Sequence, residues 1–230
     1  MLNDWDELPD FMRVPEVKPY YDILKKKQFS LLLKRVLDFV LAIVLFVVLA
    51  IPMLLLAIWI KLDSEGPVFY RQERVTTYGK RFRIHKFRTM VNNADKLGTA
   101  VTVSGDTRIT KVGQRLRNLR LDELPQLFDV LEGAMSFVGT RPEAVKYVEK
   151  YKPEFYATLL LPAGITSEAA ILYKDEAKLL DAAADVDKVY IEQVLPAKMK
   201  WNLETIRHFS FMKDIATMFR TVAAVAGKKF

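Results

Sequence analysis

Residues 39–60 read FVLAIVLFVVLAIPMLLLAIWI, a run of 22 residues without a charge. A bilayer core takes about 20 helical residues, so the run is long enough to enter one. Soluble cores seldom bury a helix that is apolar all round, which makes a membrane element the better reading. Pro52 lies beyond the middle of the run. It removes one backbone hydrogen bond and crowds the preceding turn, so a kink is expected near Ala50–Pro52. Lys25, Lys26, Lys27, Lys34 and Arg35 precede the run; Lys61, Arg71, Arg74, Lys80, Arg81 and Arg83 follow it. Positive charge marks the cytoplasmic side, and here it stands at both ends. The sequence therefore predicts a re-entrant helix–break–helix over 31–61, dipping into one leaflet and returning, in preference to a spanning helix. Asp38 is expected to pair with Lys34 and Arg35 at the headgroup level, and those two cations to contact lipid phosphates.

Working outward, residues 1–20 are polar, carry several prolines and show no pattern; 1–30 are set apart as an N-terminal extension. Residues 21–37 suit a basic amphipathic helix at a membrane interface. Residues 66–88 alternate polar and apolar around Tyr78-Gly79-Lys80, the pattern of a β-hairpin. A helix start and loop over 91–106 precede a basic amphipathic helix over 107–120. A second helix over 122–132 has Leu121, Leu124, Phe128 and Leu131 at helical spacing and Gly133 to end it. Further helices are expected over 142–159, 174–183 and 187–207, the last broken at Pro196, with a turn at 162–164. An amphipathic tail, 209–223, would place Phe211, Ile215, Met218, Phe219 and Val222 on one face, with Phe209 and Phe211 seating it at the interface. The fold class is α/β, mostly helical. One catalytic domain over 62–230 holds the hairpin and ends in interfacial helices.

The chain has 230 residues, a net charge of +7, no Cys and two His. Disulfides, thiolate metal sites and a His-rich metal site are excluded. The basic excess fits nucleic acid, anionic lipid or phosphorylated substrates. No aromatic stacking platform or recognition helix accompanies it, which argues against nucleic acid. No short apolar stretch with a small-residue cleavage site follows the first Met, so a removable signal peptide is not expected.

Within 117–143, RNLRLDELPQLFDVLEGAMSFVGTRPE, the adjacent Asp122 and Glu123 stand at a helix start, after a stretch with no acid between Asp106 and Asp122. Arg117 and Arg120 lie upstream and Arg141 downstream. Cations and a helix N-terminus favour phosphate. Carboxylates would repel it unless a divalent metal mediates, and Mg²⁺ takes one or two carboxylates plus phosphate oxygens. An Asp kept ionised by cations could attack phosphorus. Spacing alone favours a plainer role, Asp122 as N-cap with Glu123 beside it.

A resemblance tips this balance. KRVLD (34–38) before a Pro-broken apolar helix, GPVFYRQERV (66–75), FRIHKFRTM (82–90), DTRITKVGQRLRNLRLDELPQLFDVL (106–131) and SFVGTRPE (136–143) occur in that order. Together they resemble the monotopic polyprenyl-phosphate phosphoglycosyl transferases, the bacterial sugar transferase family, from about Lys34 to Lys150 and more weakly to Thr221. The resemblance implies transfer of a sugar-1-phosphate from a UDP-sugar to a polyprenyl phosphate, with release of UMP. Asp122 would be the nucleophile and Glu123 the Mg²⁺ ligand. Lys86, Arg88 and Arg141 would hold phosphate, supported by Arg117. Anionic lipids and a second copy of the chain join the candidate partners. The location implied is the cytoplasmic face of a bacterial inner membrane. The chain departs from the family at LPAGITSEAAILYKDEAKLL (161–180), where Ala163 splits a Pro-Gly pair and a Gln and an Arg are missing. That bears on donor specificity. Thr140 replaces a usual Pro, and Asn202 stands near a common acid. Asp214 keeps its place and is read as a structural cap or pair. His85 is read as a polar strand residue rather than a base.

Overall fold

A computed structural model describes residues 2–94, 106–172 and 185–225. Two 3₁₀ turns, Trp5–Glu7 and Asp10–Met12, lead to α1 (Lys18–Lys25) and then α2 (Gln28–Asp63), which contains the apolar run. α2 is one continuous helix with Pro52 inside it, not the two helices that a break would give. The side chains it packs against the rest of the protein recur at steps of three or four: Leu31, Lys34, Asp38, Ala42, Leu45, Leu49, Met53, Leu56 and Ile60. One stripe of the helix thus lies along the domain on both sides of Pro52. That continuous packing offsets the single hydrogen bond a proline removes. The opposite side is exposed and apolar throughout, with Val40, Val44, Val47, Ile51, Leu55 and Leu62 open.

The hairpin is present. β1 (Phe69–Val75) and β2 (Arg81–Phe87) pair antiparallel, with Tyr70 opposite Lys86. Its corner takes left-handed backbone at Tyr78 (φ 57) and Gly79 (φ 75). α3 is Lys111–Asn118, shorter than expected because Thr110 caps it, its side chain accepting from the Gly113 N–H. A 3₁₀ turn, Leu121–Glu123, precedes α4 (Gln126–Glu132), which ends at Gly133 with φ 85.

A second sheet was not expected from the sequence. β3 (Met135–Val138) runs into a loop and α5 (Val145–Val148); a 3₁₀ segment, Pro153–Leu160, leads to β4 (Ala163–Thr166), which pairs parallel with β3. The supposed turn at 162–164 is therefore mostly strand. Thr76 ties the two sheets: its hydroxyl donates to the Ala134 carbonyl at 2.6 Å and accepts from the Ala163 N–H at 3.1 Å. α6 (Glu168–Leu172) follows. The helix expected over 174–183 lies outside the described residues, as does most of 91–106. α7 (Val186–Val189) passes through a π-helical segment, Tyr190–Val194, into α8 (Leu195–Arg207), with Pro196 in its first turn. The break thus precedes Pro196. α9 is Phe211–Val225.

The largest core joins both ends of the sequence. Met12, Val17 and Leu24 pack with Phe155, Leu160, Leu195 and Met199. The patternless N-terminal stretch is therefore part of the main core; its apolar residues are single and separated by prolines, so no period shows. Phe209 is buried in this cluster, which corrects its expected place at the interface.

α9 is built the other way round from a helix on a soluble protein. Asp214 and Thr217 are buried, while Met212, Phe219 and Val222 are exposed. The inward side is satisfied by polar partners: Lys34 on Asp214, Glu168 on Thr217 and Arg220, and Thr166 on Thr221. Apolar residues outward and polar residues inward suit a helix whose outer solvent is lipid.

Candidate active site

The site is assembled by close backbone packing. The Thr110 N–H donates to the Thr89 carbonyl at 3.0 Å, and α3 lies so near that a Cβ on Gly113 would sit 2.0 Å from that oxygen. Two turns on, the Arg117 Nε donates to the Thr89 hydroxyl at 2.8 Å. Arg120 then takes left-handed backbone, φ 56, and turns the chain into Leu121–Glu123. Leu121 and Leu124 are packed below with Phe87 and Leu116, which fixes the turn that carries the two carboxylates.

Glu123 is clamped. Its Oε1 accepts from the Lys86 ammonium at 2.9 Å and the Arg141 guanidinium at 2.6 Å; its Oε2 has only a 3.5 Å contact with Arg141. Burial opposes its charge, but Arg141 and Lys86 outweigh burial and hold the carboxyl well below the usual range. Asp122 differs. Burial first, then the neighbouring Glu123 charge, raise its carboxyl, against the pull of Lys86, Arg117 and Arg141. Its carboxylate caps neither adjacent helical segment and makes no hydrogen bond among the described residues. The plainer N-cap role is therefore not the one it has.

Asp122, Glu123, Lys86, Arg117 and Arg141 are thus brought together. Three other sequence-predicted residues are not. Arg88 is buried and donates to the Ser64 and Glu65 carbonyls at 2.6 and 2.7 Å, fastening the end of α2. Two of its guanidinium nitrogens are engaged there and its Nε is buried without a partner; the carboxylate that acts on it is Asp63, not the dyad. Lys34 is buried rather than at a headgroup: it donates to the Val138 carbonyl and to Asp214, both at 2.7 Å. Arg35 donates to the Val130 carbonyl at 2.8 Å and to that of Leu131 at 3.3 Å, the free end of α4. Both point into the domain because they lie on the packed stripe of α2. Asp38 is on that stripe too, accepting from the Phe137 N–H at 3.1 Å instead of pairing with either cation. Asp214 is the structural pair expected of it. His85 is held through Nδ1 by Asp129 at 2.8 Å, and the other Asp129 oxygen accepts the His85 N–H; the pair fastens β2 to α4. With Glu132 this makes a cluster of metal-ligand type, but both Asp129 oxygens are already committed.

Sequence reading overlooked Thr89, Arg74 and Gln126. Arg74 was visible inside GPVFYRQERV, counted only as one basic residue among several. Gln126 is fully buried with both amide atoms unpartnered, and nothing in its spacing announces that.

The donor set suits Mg²⁺, a hard cation that prefers oxygen ligands. Asp122 is an unpartnered carboxylate, and the Glu123 Oε2 has spare capacity. Glu123→Gln should expose the strain on the clamp. It leaves Lys86 and Arg141 without their shared counter-charge, and because Arg141 remains 35% exposed the loss should be about 2–3 kcal/mol, below that of a fully buried pair. Denaturant unfolding of the variant checks this; unchanged stability would mean the clamp holds nothing.

The bacterial sugar transferase model matches residues 29–228, most of the chain and all of this site. The chain belongs to that family. The chain is 37% identical over 220 residues to the UDP-glucose:undecaprenyl-phosphate glucose-1-phosphate transferase of Escherichia coli (strain K12), covering 94% of the chain and 44% of that protein. It is 35% identical over 197 residues to the UDP-N-acetylgalactosamine-undecaprenyl-phosphate N-acetylgalactosaminephosphotransferase of Aeromonas hydrophila, covering 84% and 43%. An exopolysaccharide production protein of Rhizobium leguminosarum bv. phaseoli is 33% identical over 214 residues, covering 87% and 100%. The chain thus spans under half of the first two relatives and the whole of the third. The first 28 residues lie outside the family match, yet they supply part of the main core.

Proposed function

We propose that this chain transfers a sugar-1-phosphate from a UDP-sugar to a polyprenyl phosphate such as undecaprenyl phosphate and releases UMP. The reading is supported by the names of its relatives. The observation that carries it is the contrast within one dyad: Asp122 buried and unpartnered, Glu123 clamped by Lys86 and Arg141. Asp122 is the nucleophile. Its carboxylate oxygen attacks the phosphorus bearing the sugar, and the P–O bond to UMP breaks with its electron pair on UMP. An oxygen of the polyprenyl phosphate then attacks the same phosphorus. The Asp–O–P bond breaks, and the carboxylate returns. No proton need be removed, which agrees with His85 being tied to Asp129. Lys86, Arg117 and Arg141 neutralise charge on the phosphoryl oxygens. Burial raises the basicity of Asp122 and so helps the attack, while Glu123 stays ionised. Glu123, with Asp122 beside it, would hold Mg²⁺, which supplies further charge neutralisation at phosphoryl oxygens when bound.

The apolar surfaces support a place of action at a membrane. α2 and α9 both turn apolar sides outward, and a contiguous surface of this kind marks a membrane contact. α2 is held to the domain at both ends, by Lys34 at one and by Asp63, which accepts from the Val112 N–H at 3.3 Å, at the other. A helix lying along its own domain over its full length favours entry into one leaflet over crossing. The exposed Lys26, Lys61, Arg71, Arg81 and Arg83 would meet anionic headgroups. These surfaces support a reaction at the cytoplasmic face of a bacterial inner membrane, read here as the first membrane step of a surface glycan or glycoconjugate.

Purified full-length chain should be incubated with undecaprenyl phosphate and each of several UDP-sugars, and the nucleotide product identified. UMP is expected with Mg²⁺, and none with excess EDTA. Release of UDP would mean ordinary glycosyl transfer and would overturn the mechanism.

A further inference from the structure

We propose that Arg74 is a donor-binding residue: with Arg141 it holds the nucleotide-side phosphate of the UDP-sugar, the one that leaves in UMP. This rests on the transferase reading above. Alternation along β1 sets Tyr70, Gln72 and Arg74 on one face, and the register puts Tyr70 opposite Lys86. Arg74 is therefore on the same face of the hairpin as the lysine that clamps Glu123. Its guanidinium reaches the loop of Arg141, where it donates to the Pro142 carbonyl at 3.4 Å; its other amino group donates to the Gln72 amide oxygen at 2.5 Å.

Arg74 makes no ion pair among the described residues. Glu143 is the carboxylate that acts on it most strongly. That carboxylate already accepts from the Tyr190 hydroxyl at 2.7 Å and stands 3.7 Å from the Lys198 ammonium. Arg141 adds a like charge beside Arg74, and its own partner, Glu123, is shared with Lys86. Glu143 also acts on Arg141 and Asp106 on Arg117, but Glu143 stands beside Lys198 and Asp106 is paired with Arg108. With those two cations counted, six basic side chains meet the four carboxylates Asp106, Asp122, Glu123 and Glu143, which leaves two positive charges unanswered in a half-buried place. Unanswered buried cations are costly. The diphosphate of a UDP-sugar carries two negative charges and would answer both.

Exposure gives the direction. The Arg141 side chain is 35% exposed, against 18% for Lys86 and 10% for Glu123, so the cluster opens on the flank of Arg141. The phosphorus under attack must lie at Asp122, inside the ring of Lys86, Arg117 and Arg141. The next phosphate of the donor then falls toward the open flank, where Arg74 stands. When the P–O bond breaks, the electron pair stays on UMP, whose phosphate goes from one negative charge to two. A guanidinium there stabilises the leaving group as it forms.

The test is binding of uridine, UMP and UDP by the full-length chain with Mg²⁺, for wild type, Arg74→Ala and Arg74→Lys, together with KM for each substrate. Arg74→Ala should weaken UMP and UDP binding by about 10- to 100-fold, the value of a charge-assisted contact, and leave uridine binding unchanged. Arg74→Lys should fall between. KM should rise for the UDP-sugar and not for the polyprenyl phosphate. Wild type that binds UMP and UDP, with Arg74→Ala binding them equally well, would overturn this inference alone. An equal loss for all three ligands, accompanied by a lower Tm and not rescued by lysine, would show a purely structural Arg74 and would also overturn it. Wild type that binds none of the three would overturn the transferase reading and this inference with it.

Discussion

Asp122→Asn is expected to stop transfer and, at the same time, to make the protein more stable. Removing a nucleophile that carries a covalent step should lower UMP release by at least about 10³-fold. The stability effect comes from the environment of the carboxyl. Burial, then the charge of Glu123, raise it above its unfolded value, against the cations around it. Between the unfolded and folded pKa the folded state holds the proton more tightly, so stability falls as pH rises through that window. At neutral pH the ionised Asp122 is therefore a net burden on the fold. Asparagine keeps the shape and removes the charge, and Tm should rise by about 2 °C or more, as when other strained active-site groups are relieved. The gap should close as pH falls below the ordinary aspartate range of about 4, where wild-type Asp122 is protonated too. Thermal unfolding of both proteins across pH checks this. An inactive variant with a lower Tm would mean that Asp122 is held by contacts rather than held against them. The neighbouring Glu123→Gln should move the other way, because its carboxylate is clamped and that of Asp122 is not.

The candidate site was legible in the sequence because its residues belong to short, ordered segments. The β-hairpin corner, Gly133 at the end of α4 and the Leu121–Leu131 spacing each follow from local rules, and the structure has all three. Lys86, Arg117 and Arg141 meet around the dyad as the resemblance implied. The second sheet was not legible. β3 and β4 are four residues each and pair in parallel from distant parts of the chain. So short a run carries no measurable alternation, and the pairing that stabilises it is wholly tertiary. The N-terminal stretch was opaque for the same reason: its buried residues act through partners more than a hundred positions away.

Charge was the least legible property. Lys34, Arg35 and Arg74 read as members of a basic surface and Arg88 as a phosphate ligand, and all four are turned inward. A cation in a sequence is most often solvated, and only the position of its neighbours shows that it reaches carbonyls or a carboxylate instead. For Lys34 and Arg35 the clue was available in hindsight: they share a helical face with Asp38, Ala42 and Leu49, and that face is the one packed on the domain. The apolar run was long enough to enter a membrane, but its periodicity was hidden because both sides are apolar. One side faces the protein and the other is exposed, and leucine and valine suit a core and a lipid contact alike. The same ambiguity hid the orientation of α9: its apolar face was legible, but not that its buried side is the one carrying Asp214 and Thr217.

The inward turn of Lys34 has a large consequence. Lys34 and Asp214 are 8% exposed each and 2.7 Å apart, and they join α2 to α9, the two helices that carry the apolar outer surface. Burial raises the Asp214 carboxyl and Lys34 pulls it back. Lys34→Met leaves that carboxyl buried without its partner and takes a donor from the Val138 carbonyl. The expected loss is about 3–5 kcal/mol, a fall in Tm on the order of 10 °C. Replacing both groups, Lys34→Met with Asp214→Leu, should recover much of it, because an apolar pair of similar volume needs no counter-charge. A lysine at the lipid surface would behave differently. Its loss would change stability by less than about 0.5 kcal/mol and would weaken binding to anionic vesicles by roughly the 1 kcal/mol that one such charge contributes. Unfolding in detergent and flotation with anionic vesicles, done on the same three variants, therefore separate the two roles. A stable Lys34→Met with reduced flotation would return Lys34 to the membrane. An unstable one, rescued by the second substitution, would make the pair the clasp that fixes the angle between the two lipid-facing helices and so the height of Asp122 above the bilayer.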